Sequence, residues 1–444
     1  MKPFTVREWD KLTYGDSKDQ IPAHLADRLA TLAQRSPFSG RGGNGVLEHG
    51  RHALRARGVV GILAAENCSL EILPKIDRLG GAGSPEGRAG LRHRLVQMLD
   101  VALGLEINLG RDAAMARQDE TLLDILIRAF ADQLTNEVRR GLPRQYLRCE
   151  EDLPTLRGRL DVTRQFTTLA VRPDRLACQF DILSPDTALL QVMKACVVFL
   201  ARQARRAETV RRLAELRVAL ADVADVHPHH LAWDKIAIDR SNRRWRSLLA
   251  LARLFLRRDW QATHRAIDLR DLAGVTLLFP MNDLFEAYVA ALLRKALAPE
   301  GYDVVSQGGL RYCLNEIAPD GTLGRPLFRT KPDCMVRRNG RTVLVIDTKW
   351  KRLTAAVSDP KRGVSQADVY QLMAYARLYD SARLMLLYPH HPDLEGEGAL
   401  ARHRLNVPGA DERLTIASID VAADRLATMA SLKALVLGEA MVPA

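Results

Sequence analysis

The chain is poor in several features that would have assigned it quickly. Its six cysteines, Cys68, Cys149, Cys178, Cys196, Cys313 and Cys334, are scattered without a C-x-x-C spacing. Neither a zinc site nor a disulfide framework is therefore indicated. Long apolar runs are missing too: stretches such as CVVFLA (196–201) fall far short of a bilayer span, so no membrane association is expected. The opening MKPFTVREWDKLTYG has no apolar signal core, and the chain reads as cytoplasmic. A G-x-x-x-x-G-K-[ST] loop occurs nowhere in the 444 residues, which removes a phosphate-cradling nucleotide site. No internal repeat is visible. His227, His229, His230, His390 and His391 stand beside prolines in loop-like sequence and read as loop residues rather than ligands.

What is present is positive charge. The formal net charge is +12, with 65 Lys and Arg against 53 Asp and Glu, and arginine gathers in RGLPRQYLR (140–148), RQARR (202–206) and RSNRRWRSLLALARLFLRRDW (240–260). Such runs suit a phosphate-binding surface, although arginine is frequent throughout this composition. Arg243, Arg244 and Arg246 around Trp245 are the first candidates for DNA contact, with Arg140, Arg144 and Arg148 as the reserve. Trp245 either stacks on a base or belongs to the core beside the apolar run Leu248 to Leu256.

Punctuation divides the chain into three expected regions. Residues 1–110 mix strand-like runs with Gly-rich loops. Residues 111–268 are mainly helical, beginning with an amphipathic helix over 119–141 closed by Gly141,. Residues 269–444 change to alternating helix and strand. The length suffices for two or three domains of an α+β or α/β multidomain protein.

One hairpin carries the chemistry. Residues 334–338 (CMVRR) and 342–346 (TVLVI) are strand formers flanking Asn339-Gly340, the strongest short-range hairpin signal. A three-residue loop, Arg338-Asn339-Gly340, is expected, setting Asp333 opposite Val345. Asp333, Asp347 and Lys349 then share one face while Leu344, Ile346 and Thr348 turn to the other. A bare two-residue loop would separate the acids. Two neighbouring carboxylates suit Mg²⁺ or Mn²⁺, and a lysine beside them can oppose developing negative charge. An Asp near a turn is ordinarily just solvated, yet Asp347 follows four apolar residues and so needs a compensating partner.

Elements around the hairpin fall in the order α-β-β-β-α-β. Asn282 is the expected N-cap of a helix over 282–297 that carries Glu286; strands follow at 302–306 and in the hairpin; Ser365 caps a helix to about Tyr379; and 382–389 is a buried strand,. In that second helix Gln371 and Tyr375 are i, i+4 neighbours on one face. Pro332-Asp333 with Asp347-x-Lys349 resembles the PD-(D/E)xK nuclease motif, the element order resembles that fold's core, and Gln371-x-x-x-Tyr375 is similar to the QxxxY motif of its RecB-like branch. Glu286 and Lys351 are the further candidates, the first for the metal shell and the second as a phosphate contact.

ENCSLEILPKI (66–76), LPTLRGRLDVTRQF (153–166) and CQFDILSPDTALLQVMKACVVFL (178–200) resemble corresponding stretches of McrC, the nuclease subunit of McrBC-type modification-dependent restriction systems. The resemblance runs from about residue 60 to about residue 390. It implies a Mg²⁺-dependent DNA endonuclease with Asp333, Asp347, Glu286 and the Thr348 carbonyl as metal ligands. It also implies docking of the N-terminal half, with residues 1–110 as the candidate region, onto a McrB-like AAA+ GTPase ring, and stimulation of that ring. Two alternatives stay open: a RecB-like exonuclease working with a helicase, and a catalytically silent adaptor that binds DNA and activates an NTPase.

Overall fold

The computed structural model describes residues 2–17, 20–34, 36, 38, 45–65, 67–76, 85–107, 120–257, 275–353, 361, 363–406 and 411–438. Among the described residues the fold is mixed, with five sheets and surrounding helices. Contacts gather it into two units, one made of Met1–Leu122 with Trp260–Ala444 and the other of Leu123–Asp259. The expected boundaries at 110/111 and 268/269, and most of the Gly-rich stretch 80–87, lie outside the described residues.

The first unit begins with β1 (Lys2–Arg7), β2 (Lys11–Thr13), α1 (Ala23–Gln34), β3 (Leu47–His49), β4 (Ala53–Ala56), β5 (Val59–Ala65), β6 (Cys68–Leu73) and α2 (Pro85–Leu103). VVGILAA and CSLEIL form β5 and β6, whose residues are buried almost throughout. That continuity of burial follows from layers on both faces of a sheet. Leu25, Leu29 and Ala33 of α1 join Leu63, Leu70 and Ile72 of these strands in one apolar cluster.

The second unit comprises α3 (Leu122–Arg139), β7 (Gln145–Leu153), β8 (Arg159–Leu160), α4 (Val162–Thr167), β9 (Leu176–Ser184), α5 (Ala188–Ala201), α6 (Ala207–Ala219) and α7 (Arg246–Leu256). Gly141 takes φ +107 just past α3, a conformation a side chain would resist. Alongside the expected helices stands a three-stranded antiparallel sheet in the order β7-β9-β8. Most residues of β7 are exposed or half-buried, so its sequence lacks the apolar alternation that would have announced a strand. Trp245 is fully buried, which settles it as core and not as a base-stacking platform.

The chain then returns to the first unit with β10 (Val275–Pro280), α8 (Met281–Leu297), β11 (Asp303–Ser306), β12 (Tyr312–Ile317), β13 (Leu323–Arg329), β14 (Cys334–Arg338), β15 (Arg341–Thr348), α9 (Gln366–Tyr379), β16 (Arg383–Pro389), β17 (Gly398–Arg404), β18 (Arg413–Ile419) and α10 (Arg425–Gly438). Strand β10 pairs antiparallel with β5 and completes the sheet β1-β6-β5-β10. The start of the third expected region thus extends the sheet of the first. A six-stranded sheet follows in the order β11-β14-β15-β16-β18-β17, with β15, β16 and β18 mutually parallel. Strands β12 and β13 form a separate exposed ribbon.

The hairpin differs from expectation in its loop. Arg338 pairs with Arg341, so only Asn339 and Gly340 turn, both at positive φ (50 and 78), as a tight hairpin turn requires. Further on, Arg337 pairs with Thr342 but Val336 with Leu344, which leaves Val343 as an extra residue on β15. Continuing from Cys334 opposite Ile346, Asp333 falls opposite Asp347 rather than Val345. A bulge therefore does what the longer loop was expected to do, because one inserted residue reverses the facing of everything beyond it. Leu344 and Ile346 are buried, and so is Val345 on the other face, since β15 lies inside the sheet. Thr348 is buried too, but at the strand end its hydroxyl reaches Asp333 instead of turning away from it as expected.

Helix α8 begins at Met281 with Pro280 at the cap position, one residue before the expected start. Asn282 does not cap it. Its Oδ1 accepts a hydrogen bond from the Trp350 backbone N–H at 3.1 Å, tying α8 to the segment after β15. Ser365 does stand at the cap position of α9, although its side chain makes no capping bond.

Candidate active site

The acids meet where β14 begins and β15 ends. Asp333 Oδ2 accepts from the Thr348 backbone N–H at 2.7 Å and from the Thr348 hydroxyl at 2.8 Å, so the residue between the two motif positions anchors the first acid. Asp347 is 1 % exposed, and its Oδ2 lies 2.6 Å from Lys349 Nζ. The Lys349 backbone N–H donates to the Leu387 carbonyl of β16 at 2.9 Å, which prolongs the strand pairing to the lysine.

The electrostatics are those of crowded acids withheld from water. Burial, and then the charge of Asp333, lift the Asp347 carboxyl to about 6. The same causes in the same order lift Glu286 to about 7. Asp333 is raised by burial as well, against the lowering effect of its two bonds from Thr348. For Lys349, burial pulls the ammonium down, but the bond to Asp347 and the charges of Asp347, Asp333 and Asp368 outweigh it and leave it raised.

From α9, Gln371 Nε2 donates to the Tyr375 hydroxyl at 2.7 Å. Burial raises that hydroxyl's pKa, and the charges of Asp347 and Asp333 act on it in the same direction. The structure thus gathers Asp333, Asp347, Thr348, Lys349, Glu286, Gln371 and Tyr375 around one end of the sheet. The arginine cluster belongs to the other unit. There Arg244 is committed to Glu137 at 2.9 Å and to the Gly141 carbonyl at 2.7 Å, while Arg243 and Arg246 are exposed.

Two residues escaped the sequence reading. Asp368, in the first turn of α9, is buried and lies 3.8 Å from Lys349 Nζ and 3.4 Å from Lys351 Nζ. Its spacing of three from Gln371 and seven from Tyr375 was the available signal. Tyr388 on β16 is 1 % exposed, and its hydroxyl has no hydrogen-bond partner among the described residues. Burial, then the charges of Asp368 and Asp347, push its pKa upward. Nothing in the apolar run RLMLLYP distinguished it. Trp350, between the two lysines, donates its indole N–H to Glu8 at 2.7 Å and packs edge-on against Phe285.

The donor set fits a hard divalent cation. Paired, half-desolvated carboxylates are unfavourable without positive charge nearby, and the Lys349 ammonium already occupies that role beside Asp347. Among the described residues no group of three or more His, Cys, Asp or Glu side chains is gathered as a metal cluster. A site here would rest on two carboxylates completed by carbonyl, water and substrate oxygens, the manner in which Mg²⁺ is commonly held.

A pH dependence follows in metal-free protein. Asp347 and Glu286 have raised folded pKa values, so the stability they contribute is full below the ordinary carboxylate range and is lost as pH climbs to about 6 and about 7 respectively,. Asp347→Asn, which fixes a neutral side chain, should therefore melt above wild type by a margin that widens from about pH 4 to 6 and then stays level. Thermal melts in chelator across that range test this. A margin independent of pH would contradict it.

Among the described residues, no helix is long and apolar enough to cross a membrane. Comparison with curated proteins finds no match. Among solved structures, the chain is similar to one from a refined half-complex of the tetradecameric assembly of Thermococcus gammatolerans McrB AAA+ hexamers with bound McrC. The identity there is 19 %, over 99 % of this chain and 100 % of that one, with a TM-score of 0.70. A chain in the cryo-EM structure of the Thermococcus gammatolerans McrBC complex is 24 % identical over 67 % of this chain and 88 % of its own, with a TM-score of 0.52. These likenesses concern the fold. The sequence model of the McrBC 5-methylcytosine restriction system component matches residues 54–389, three quarters of the length, and the chain belongs to that family.

Proposed function

We propose that this chain is a Mg²⁺-dependent DNA endonuclease, the McrC-like cutting subunit of a restriction complex. The observation that carries the reading is the Asp347 carboxylate, buried opposite Asp333 and 2.6 Å from the Lys349 ammonium. The order α8, β11, β14, β15, α9, β16 supports a PD-(D/E)xK core, with Pro332-Asp333 and Asp347-x-Lys349 as its motif.

Asp333 and Asp347, with the Thr348 carbonyl, would hold Mg²⁺ or Mn²⁺, which when bound would polarise the scissile phosphate and lower the pKa of a water; Glu286 would reach the metal shell only through water. Thr348 fixes Asp333 through two hydrogen bonds. Lys349 orients the attacking water and opposes the charge that develops on the phosphate. Gln371 and Tyr375 face the same phosphate from α9. Lys351, Arg243 and Arg246 are assigned to the DNA backbone; Arg244 is withdrawn from that role by its bonds to Glu137 and Gly141. With no phosphate loop in the sequence, nucleotide hydrolysis belongs to a partner. Solved relatives come from assemblies of McrB AAA+ hexamers with bound McrC, so we assign this chain a McrB-like AAA+ GTPase ring, which it docks onto and stimulates.

The test is supercoiled plasmid, with and without 5-methylcytosine, incubated with the chain, a McrB-type ring from the same organism, GTP and Mg²⁺. Linearised circles are the expected product. Degradation confined to linear DNA would favour an exonuclease, and stimulated GTP hydrolysis without any cutting would favour a silent adaptor.

A further inference from the structure

Lys349 and Lys351 extend from the same short segment after β15, and both reach one carboxylate on the facing helix. Asp368 Oδ1 is 3.8 Å from Lys349 Nζ, and Asp368 Oδ2 is 3.4 Å from Lys351 Nζ. The acid is 8 % exposed. A carboxylate so far from water needs compensating charge. Here that charge comes from the two ammoniums, aided by the acid's place in the first turn of α9, where the helix favours negative charge.

The arrangement answers a problem of aim. A lysine stem has four carbons and many rotamers, and a single anchor leaves its ammonium free to swing. Asp347, 2.6 Å away, is one anchor, but it belongs to the acidic pair assigned to the cation. An anchor on α9 is independent of that pair. It also stands on the helical face that presents Gln371 and Tyr375, so lysine, glutamine and tyrosine are referred to one rigid element.

We infer that Asp368 is a positioning residue: it holds Lys349 in its working direction and fixes Lys351 alongside. Its effect on cleavage rests on the nuclease reading above, whereas its grip on the two lysines does not.

Two measurements on the full chain separate these. First, in chelator without DNA, an amine-acylating reagent is followed by mass spectrometry at both lysines. Asp368→Asn should raise acylation of Lys349 and Lys351 several-fold, and Asp368→Glu should restore protection. Second, with the ring partner, GTP and Mg²⁺, Asp368→Asn should lower kcat for plasmid cleavage by about 10- to 100-fold, the scale of a misplaced catalytic group. KM for DNA should stay within about twofold, and Asp368→Glu should recover most of kcat. A purely structural role would instead lower the melting temperature and the active fraction, with no rescue by Glu. Unchanged acylation, or unchanged kcat in a folded Asn variant, overturns the inference. Should Asp368→Asn fail to fold, the Glu variant decides: near-normal protection and kcat support the assignment, and loss of either in folded protein refutes it. If wild type itself never cuts, the nuclease reading falls while acylation still judges the Asp368 grip.

Discussion

Purified Lys349→Ala, assayed with the ring partner, GTP and Mg²⁺, should lose plasmid cleavage by on the order of 10³-fold, the scale on which removing one charge-stabilising donor acts. The ammonium 2.6 Å from Asp347 is the group assigned to oppose the charge that develops in the proposed reaction, so its loss acts on the transition state rather than on DNA affinity. Asp333→Ala and Asp347→Ala should be equally silent. DNA binding should persist in all three, and the Asp347 variant should still stimulate GTP hydrolysis by the ring, because the family resemblance assigns docking to the N-terminal half of the chain. Nicking assays, DNA affinity and GTPase rates measured side by side decide the matter. Full cutting by folded Lys349→Ala would remove the hairpin from catalysis altogether.

The second large effect is on stability. Gly61, in the middle of β5, has φ +127, and a Cβ built there would stand 1.9 Å from the Leu277 carbonyl oxygen of β10. Gly61→Ala forces either that strand pairing apart or the backbone out of position, since the obstructing atom is main chain and cannot turn away. The expected loss is about 3 kcal/mol or more, at the upper end for single substitutions. Gly104→Ala is the control: its φ is +63 but nothing lies within 4 Å of the added carbon, so only the left-handed backbone cost of about 1 kcal/mol applies. Denaturation curves and amide exchange of β5 and β10 measure the difference. Equal stability of the two variants would mean that the β5–β10 contact is loose.

These two predictions draw on different kinds of information. The hairpin, its Asn-Gly turn and the Asp-x-Lys ending were legible because each depends on neighbours in the chain: strand propensity, turn chemistry and the alternation of side chains. The helices and strands from 281 to 389 that build the six-stranded sheet and its helices were legible for the same reason, to within a residue or two at most of their ends, whereas the exposed ribbon of β12 and β13 was not foreseen. The motif stretches from about residue 60 onward pointed to the family from sequence alone, and the match over residues 54–389 agrees.

Register was not so determined. An extra Val343 and an extra loop residue both bring Asp333 and Asp347 to one face, and sequence patterning cannot say which device is used. Only the ladder of β14 against β15 decides. Partners distant in sequence were hidden as well. That β5 would pair with β10, that Asn282 would serve Trp350 rather than its own helix, and that Arg244 would be spent on Glu137 depend on which surfaces meet after folding. The amphipathic pattern of an element names its buried face but not what covers it. Asp368 illustrates the division most clearly. Its place on the Gln371 and Tyr375 face could be read from a spacing of three and seven, yet its two lysines come from the segment after β15, on the other side of a connection, and charges at such separation find each other only through the tertiary fold.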